Sequence, residues 1–291
     1  MKTQFSAILS AVLLANFSVQ GESLIYEPFD QDFSSDANLN GKSGGIGLNT
    51  WSDNGTVVGI PQTLNYGDLA NEGSQIRLNN GGGTDAWVTT TSVLADNDLL
   101  DDGAELWFSY MYLKPNGGGS NEKGGFAFGT DRLDGAFNGQ NMIDGGNGLG
   151  LAYNNFSLSA ASWSGGGDAN FGQSFNIGSY GNSILVVGKI EWGATNTDDE
   201  TITVYFPSTT DLGTLGPSFV QTLTAVDQSL FDTISMTLRN APFGGDVVVN
   251  GQFYDEIRFG ATLEDVTPVP EPGALALLAL GGMLVVRRRH T

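Results

Sequence analysis

Thirty-two carboxylates are spread along this 291-residue chain, and one stretch concentrates them. Asp96-Asn97-Asp98-Leu99-Leu100-Asp101-Asp102-Gly103 holds four acids and one Asn within eight residues. Carboxylate and amide oxygens are hard donors suited to Ca²⁺, so Asp96, Asp98, Asp101 and Asp102 form a candidate calcium site. Leu99 and Leu100 interrupt the D-x-[DN]-x-[DN]-G pattern of an EF-hand loop. The same residues suit a capped turn leading into the segment at Glu105, because Asp and Asn are habitual turn formers. The other acidic stretches make poor catalytic pairs. Asp198-Asp199-Glu200 reads as a turn, and Asp255-Glu256 are adjacent, which on a strand sends them to opposite faces. There is no Cys, and the one His is His290, close to the C-terminus. The body therefore has no Ser-His-Asp or Cys-His device, no histidine general base and no Cys/His zinc site.

Sugar recognition asks for an exposed aromatic face beside hydrogen-bonding side chains. Trp107 and Trp192 fall within apolar alternating segments and are expected in the core. Trp51, in Leu48-Asn-Thr-Trp-Ser-Asp-Asn-Gly55, and Trp163, in Ala161-Ser-Trp-Ser-Gly-Gly-Gly-Asp168, stand in polar, Gly-rich surroundings. Trp163 with Asp168 and Asn170 is the first candidate glycan platform and Trp51 the second. The competing reading folds each indole onto the body, since large aromatics are well buried on average. The triplets Gly81–Gly83, Gly117–Gly119 and Gly165–Gly167 follow no strand-to-helix pattern, so they read as loops and not as phosphate cradles. The formal charge is −20, and setting aside Lys2 and Arg287 to Arg289 leaves eight bases against 32 acids, or −24. Such a surface repels phosphate backbones, and nucleic acid is excluded as a partner.

Both ends carry apolar runs. Residues 1–21 place Lys2 before a mostly apolar Phe5-to-Phe17 stretch and end in Val19-Gln20-Gly21, with small residues at the −3 and −1 positions of a cut. This is the pattern of a secretory signal peptide, which addresses a chain to the Sec export machinery. At the other end, Val269-Pro270-Glu271-Pro272 precedes thirteen apolar residues, Ala274 to Val286, and then Arg287, Arg288 and Arg289. Thirteen helical residues span about 20 Å, short of the ~30 Å hydrocarbon core. Snorkelling arginines make a marginal span feasible, and the positive-inside rule keeps them in the cytoplasm. The two prolines hold Pro270-Glu271-Pro272 extended beside the bilayer. Residues 269–291 closely resemble the PEP-CTERM sorting signal of Gram-negative bacteria. That resemblance implies processing by exosortase, a membrane-embedded protease. It also implies export through the inner membrane, a transient hold by a short transmembrane helix, and release to the cell surface or extracellular matrix.

The elements that must position any site lie in residues 22–268. Apolar residues there alternate with period two in segments of 5 to 10 residues bounded by Gly, Asn, Asp and Pro, and no helix is evident. Glu105–Leu113, Gly125–Gly129, Gly148–Tyr153, Ser183–Trp192, Thr201–Phe206, Thr233–Leu238 and Phe253–Phe259 are the clearest, with Ser23–Phe29 near the start. Ile184 to Phe206 reads as a long hairpin. Many short strands with turn chemistry between them predict one all-β sandwich or barrel, and no repeat or linker divides it.

The opening Leu24-Ile-Tyr-Glu-Pro-Phe-Asp30 and the closing Asp255-Glu-Ile-Arg-Phe-Gly260, continuing to Thr267-Pro268, resemble the concanavalin A-like (laminin G-type) jelly-roll domains of exported PEP-CTERM proteins. The resemblance implies two antiparallel sheets with the opening and closing strands in one of them. It also implies a possible Ca²⁺ at a loop rim. Enzymes of this fold cleave polysaccharides with E-x-D-x-x-E or E-x-D-x-E along one strand, which puts both carboxyls on one face. No instance of either occurs here. The expectation is an exported, non-catalytic jelly roll that binds or organises extracellular polysaccharide. The alternatives left open are a secreted glycan hydrolase or lyase with a non-standard carboxylate pair, and a structural matrix protein that binds no sugar.

Overall fold

The computed structural model describes residues 22–31, 33, 38–54, 57–66, 73–79, 84–113, 123–132, 146–154, 157–164, 170–177, 181–207, 215–216, 218–239 and 251–267. Residues 1–21, read from sequence as a signal peptide, and the sorting signal 269–291 lie outside them. Strands follow one another along the chain as β1 (Ile25–Glu27), β2 (Ser52–Asn54), β3 (Val57–Ile60), β4 (Gln75–Asn79) and β5 (Thr84–Thr89). After these come β6 (Glu105–Leu113), β7 (Lys123–Gly129), β8 (Gly148–Asn154), β9 (Ser157–Trp163) and β10 (Asn170–Asn176). The last are β11 (Ser183–Glu191), β12 (Glu200–Tyr205), β13 (Ser218–Leu223), β14 (Thr233–Arg239) and β15 (Gly251–Gly260), followed by the short helix α1 (Leu263–Val266). Among the described residues no helix is long and apolar enough to cross a membrane.

All pairings are antiparallel and divide into two sheets. One runs β13-β12-β11-β6-β15-β4-β3, with β1 also on β15; the other runs β10-β9-β8-β7-β14-β5-β2. The chain passes between sheets at β1–β2, β2–β3, β4–β5, β5–β6, β6–β7, β10–β11, β13–β14 and β14–β15. It is a jelly-roll β-sandwich. The expected hairpin is present as β11 and β12, paired from Val187↔Tyr205 to Glu191↔Thr201. Opening and closing strands do share a sheet: β1 lies along Ile257–Phe259 while β4 lies along Gly251–Tyr254, so both flank β15 opposite β6.

Alternation explains the layering. In β6, Leu106, Phe108, Tyr110 and Tyr112 point between the sheets, where they meet Phe126, Phe128, Leu151 and Tyr153 of the facing sheet. Burying each such side chain is worth about 1.5–3 kcal/mol. Two phenols meet there, Tyr110 and Tyr153 sharing a hydrogen bond, and Tyr112 stacks on Tyr153 at 4.0 Å. The other side of β6 is also covered. Met111 joins Leu185, Val187, Phe253, Leu64 and Val266 in an outer layer, and Trp107 stacks on Tyr205 there. Trp107 is thus an outer-face residue and not the core residue its segment suggested, because position 107 alternates with Leu106 and Phe108. Trp192 does enter the core, its indole N–H donating to the Leu99 carbonyl at 2.7 Å.

Candidate functional site

The proposed glycan platforms are not platforms. Trp51 is fully buried, packs with its ring tilted against Phe29 and donates its indole N–H to Glu27 at 2.7 Å. Trp163 is the last residue of β9 and only 3% exposed, with its indole lying over Gly148 where any Cβ would clash. Both indoles are large enough to gain more from burial than a polar neighbourhood could draw them outward. Asp168 lies outside the described residues. Asn170 opens β10 opposite Ser162.

Nor do the four acids of the calcium candidate converge. Leu94 to Asp98 wind through a 3₁₀ turn, Asp98 takes a left-handed φ of 59°, and Leu99 and Leu100 turn inward to the core. Asp96 instead accepts from the Ser92 hydroxyl at 2.6 Å, and Asp102 from the Gln228 amide at 3.1 Å. Among the described residues no three acidic side chains gather as a metal-ligand group. Burying the two leucines anchors the loop and splays the carboxylates toward solvent.

Three carboxylates with raised pKa sit inside the body, and burial also raises the half-buried Asp53 of β2. Glu27 accepts from the backbone N–H of Phe29 (2.8 Å) and Gly45 (3.0 Å), from Gln31 and from Trp51, so one side chain organises the chain from β1 to β2. Burial pushes its pKa up against those donors. Glu200 accepts from Gly193 and Val226 N–H groups and is likewise pushed up by burial. Asp255 accepts from the N–H of Leu64 and Glu256, both at 2.9 Å. Burial first, then the charges of Glu256 and Glu27, drive its pKa up to about 9. Glu256 adopts a φ of 53° in a β-bulge between Asp255 and Arg258, and it pairs with Arg258 at 2.6 Å and with the Tyr26 hydroxyl at 3.2 Å. The extra residue of the bulge defeats simple alternation. Asp255 and Glu256 both reach partners on the outer face of their sheet, contrary to the opposite faces expected of adjacent strand residues.

Among the described residues, an accessible region lies where β5 ends and β14 begins. In β5, Ala86 and Val88 are buried in the core, so Asp85, Trp87 and Thr89 face outward from the seven-stranded sheet. Asp85 is capped by the Thr237 hydroxyl at 2.6 Å. Trp87 is half-buried, and the Arg132 guanidinium lies over its ring at 4.6 Å, a cation–π contact. Beyond Thr89 a cleft of about 330 Å³ opens between the 90–100 loop and the turn before β14. Its polar lining is Thr90, Thr91, Ser92, Ser229 and Asp232; Leu94, Leu100 and Phe231 form the apolar part, and Leu230 stands 71% exposed at the rim. Asp227 holds that rim by accepting from the Ser229 N–H and hydroxyl. The sequence carried a signal for Trp87 that its polar neighbours obscured: in Thr84-Asp-Ala-Trp-Val-Thr89 the small and branched apolar residues alternate against the indole.

Residues 268–289 match the PEP-CTERM protein-sorting motif, which marks the chain for export and sorting to the cell surface. No curated protein matches the sequence. Among solved structures, a protein of unknown function from Shewanella oneidensis MR-1 is 12% identical over 88% of this chain and 94% of that one, with a TM-score of 0.49. The alginate lyase vAL-1 of a Chlorella virus is 12% identical over 73% and 93%, with a TM-score of 0.41. A botulinum neurotoxin type C chain, whose cell entry depends on two ganglioside molecules, is 13% identical over 84% of this chain and half of its own length, with a TM-score of 0.42.

Proposed function

We propose that this exported, surface-sorted jelly roll is a non-catalytic binder of extracellular polysaccharide, working through Trp87, Arg132 and the hydroxyl-lined cleft beside them. The observation that carries the reading is the partly exposed Trp87–Arg132 contact on a sheet face next to that cleft. An indole edge and a guanidinium offer a saccharide apolar area and several planar donors at once. Thr91 and Asp232 add a hydroxyl and a carboxylate that pair with ring hydroxyls, and a cleft of this size suits one or two sugar units. Support for a non-catalytic role comes from the acids. Those with raised pKa are committed to backbone N–H groups and do not line the cleft, whereas glycoside hydrolysis canonically uses two carboxyls flanking one bond.

The reading is tested with the chain ending at Thr267, measured against a panel of bacterial exopolysaccharides. Trp87→Ala is expected to weaken binding at least tenfold, about 1.4 kcal/mol, while Trp163→Phe leaves it unchanged. Equal affinity of the Trp87 variant would remove the site. Release of reducing ends or unsaturated sugars from any bound polysaccharide would overturn the non-catalytic assignment.

A further inference from the structure

The two ends of the described body meet. Leu24 donates its N–H to the Phe259 carbonyl at 3.0 Å, and the Ser23 hydroxyl donates to the Asp265 carbonyl. α1 is held in turn by a capping box between Thr262 and Asp265 and by the Ser109 hydroxyl on the Val266 carbonyl. Val266 is fully buried in the outer layer of the eight-stranded sheet, against Met111, Leu185, Val187 and Phe253. Chain leaving Thr267 therefore starts from one defined face, and residue 22 starts beside it.

From that face to the apolar run is a short distance. Six residues, 268 to 273, separate Thr267 from Ala274. Even at full extension this six-residue leash reaches only about 20 Å. A body of this size has a radius of gyration of about 18 Å and a diameter on the order of 45 Å. The leash is thus shorter than the body is wide, and the body cannot turn over on it. An uncut signal peptide would be a second tether at the same place.

We propose that, while the sorting tail is held in the bilayer, the α1-bearing face of the eight-stranded sheet lies toward the lipid and the Trp87–Arg132 face of the other sheet points away from it. The orientation is imposed by the tether and not by attraction. Exposed Glu264 and the Glu105–Lys189–Glu191 cluster leave the inward face acidic, with contacts of 3.2 and 3.0 Å around the single lysine, and an anionic bilayer does not draw such a surface. The proposal rests on the tail occupying the membrane and is independent of what the outward face binds.

Because the chain has no Cys, single labels test this directly. Full-length Ala261→Cys and Thr89→Cys proteins, each carrying one donor fluorophore, are reconstituted into phosphatidylethanolamine/phosphatidylglycerol vesicles with a headgroup-bound acceptor. Energy transfer from position 261 is expected to be at least twice that from position 89, and the contrast vanishes for chains ending at Thr267. Equal or reversed transfer overturns the orientation, and so does failure of the full chain to float with the vesicles. Polysaccharide binding by the shorter chain succeeds or fails separately, so the two readings are told apart.

Discussion

Asp255 carries the largest electrostatic cost of any single carboxylate described, and its consequence is a pH dependence of stability. Its folded pKa of about 9 lies above the ordinary 3.8. Below pH 4 folded and unfolded chains both hold the proton. Between about pH 4 and pH 9 the unfolded chain releases it and the folded one keeps it, so stability falls as pH rises, by up to about 1.4 kcal/mol per unit. Glu27 and Glu200, also raised by burial, act in the same direction. Urea midpoints measured from pH 5 to 8 are expected to decline for the natural chain and to decline less for Asp255→Asn. Parallel declines would show that Asp255 is not the cause.

At the scale of an element, the 94–104 loop shows how a cluster of acids becomes structure without becoming a site. Leu99 and Leu100 fill the core, Trp192 grips the Leu99 carbonyl, and Asp98 absorbs the reversal with a left-handed backbone. Asp98→Gly is expected to hold or raise stability by up to about 1 kcal/mol, whereas Asp98→Val lowers it by about 1–2, since a branched residue tolerates that conformation poorly. Thermal unfolding of both variants checks the sign. Because the four carboxylates face different ways, EDTA is expected to leave the melting temperature unchanged. A shift of several degrees on adding Ca²⁺ would contradict the loop as described.

For the molecule as a whole, the closing event is the meeting of β1 with β15. β1 contributes only three residues of pairing, yet it carries Ile25 to the core, Tyr26 to Glu256 and the Glu27 hub that binds Trp51, Gly45 and Phe29. Removing residues 22–27 would leave Trp51 and two backbone donors buried without acceptors, at about 1–3 kcal/mol for each. A chain beginning at Pro28 is expected to melt at least 10 °C lower than one beginning at Glu22, or to fail to fold. Similar melting would show that the N-terminal strand is dispensable.

Much of this architecture was legible in the residues. Period-two alternation located β6, β8, β11, β12, β14 and β15 to within about two residues, because a strand with one face in a dry core must repeat apolar residues every second position. The order of Pro270-Glu271-Pro272, the apolar run and the arginines announced the sorting signal, because that information is local. Seven strands, β2, β3, β4, β5, β9, β10 and β13, were not evident: their segments are short, polar or broken by small residues, and only pairing with neighbours makes them strands.

The functional residues divide in the same way. The absence of Cys and of a body histidine excluded whole chemistries by composition alone. Which tryptophan faces water depended on tertiary structure. Trp51 and Trp163 stand among polar residues yet are buried, while Trp87 stands in an ordinary strand yet is partly exposed. Exposure is set by what packs on a face from distant segments, as Glu27 does for Trp51 and Gly148 for Trp163. The bulge at Glu256 is of the same kind: alternation assigns its side chain one face, and the pairing of β15 with β6, β4 and β1 together places it on the other. Sequence determined the strand period, the address and the missing chemistries, since each is a property of neighbours along the chain. Tertiary structure decided which groups meet and which remain in water, since those contacts join residues up to 242 positions apart.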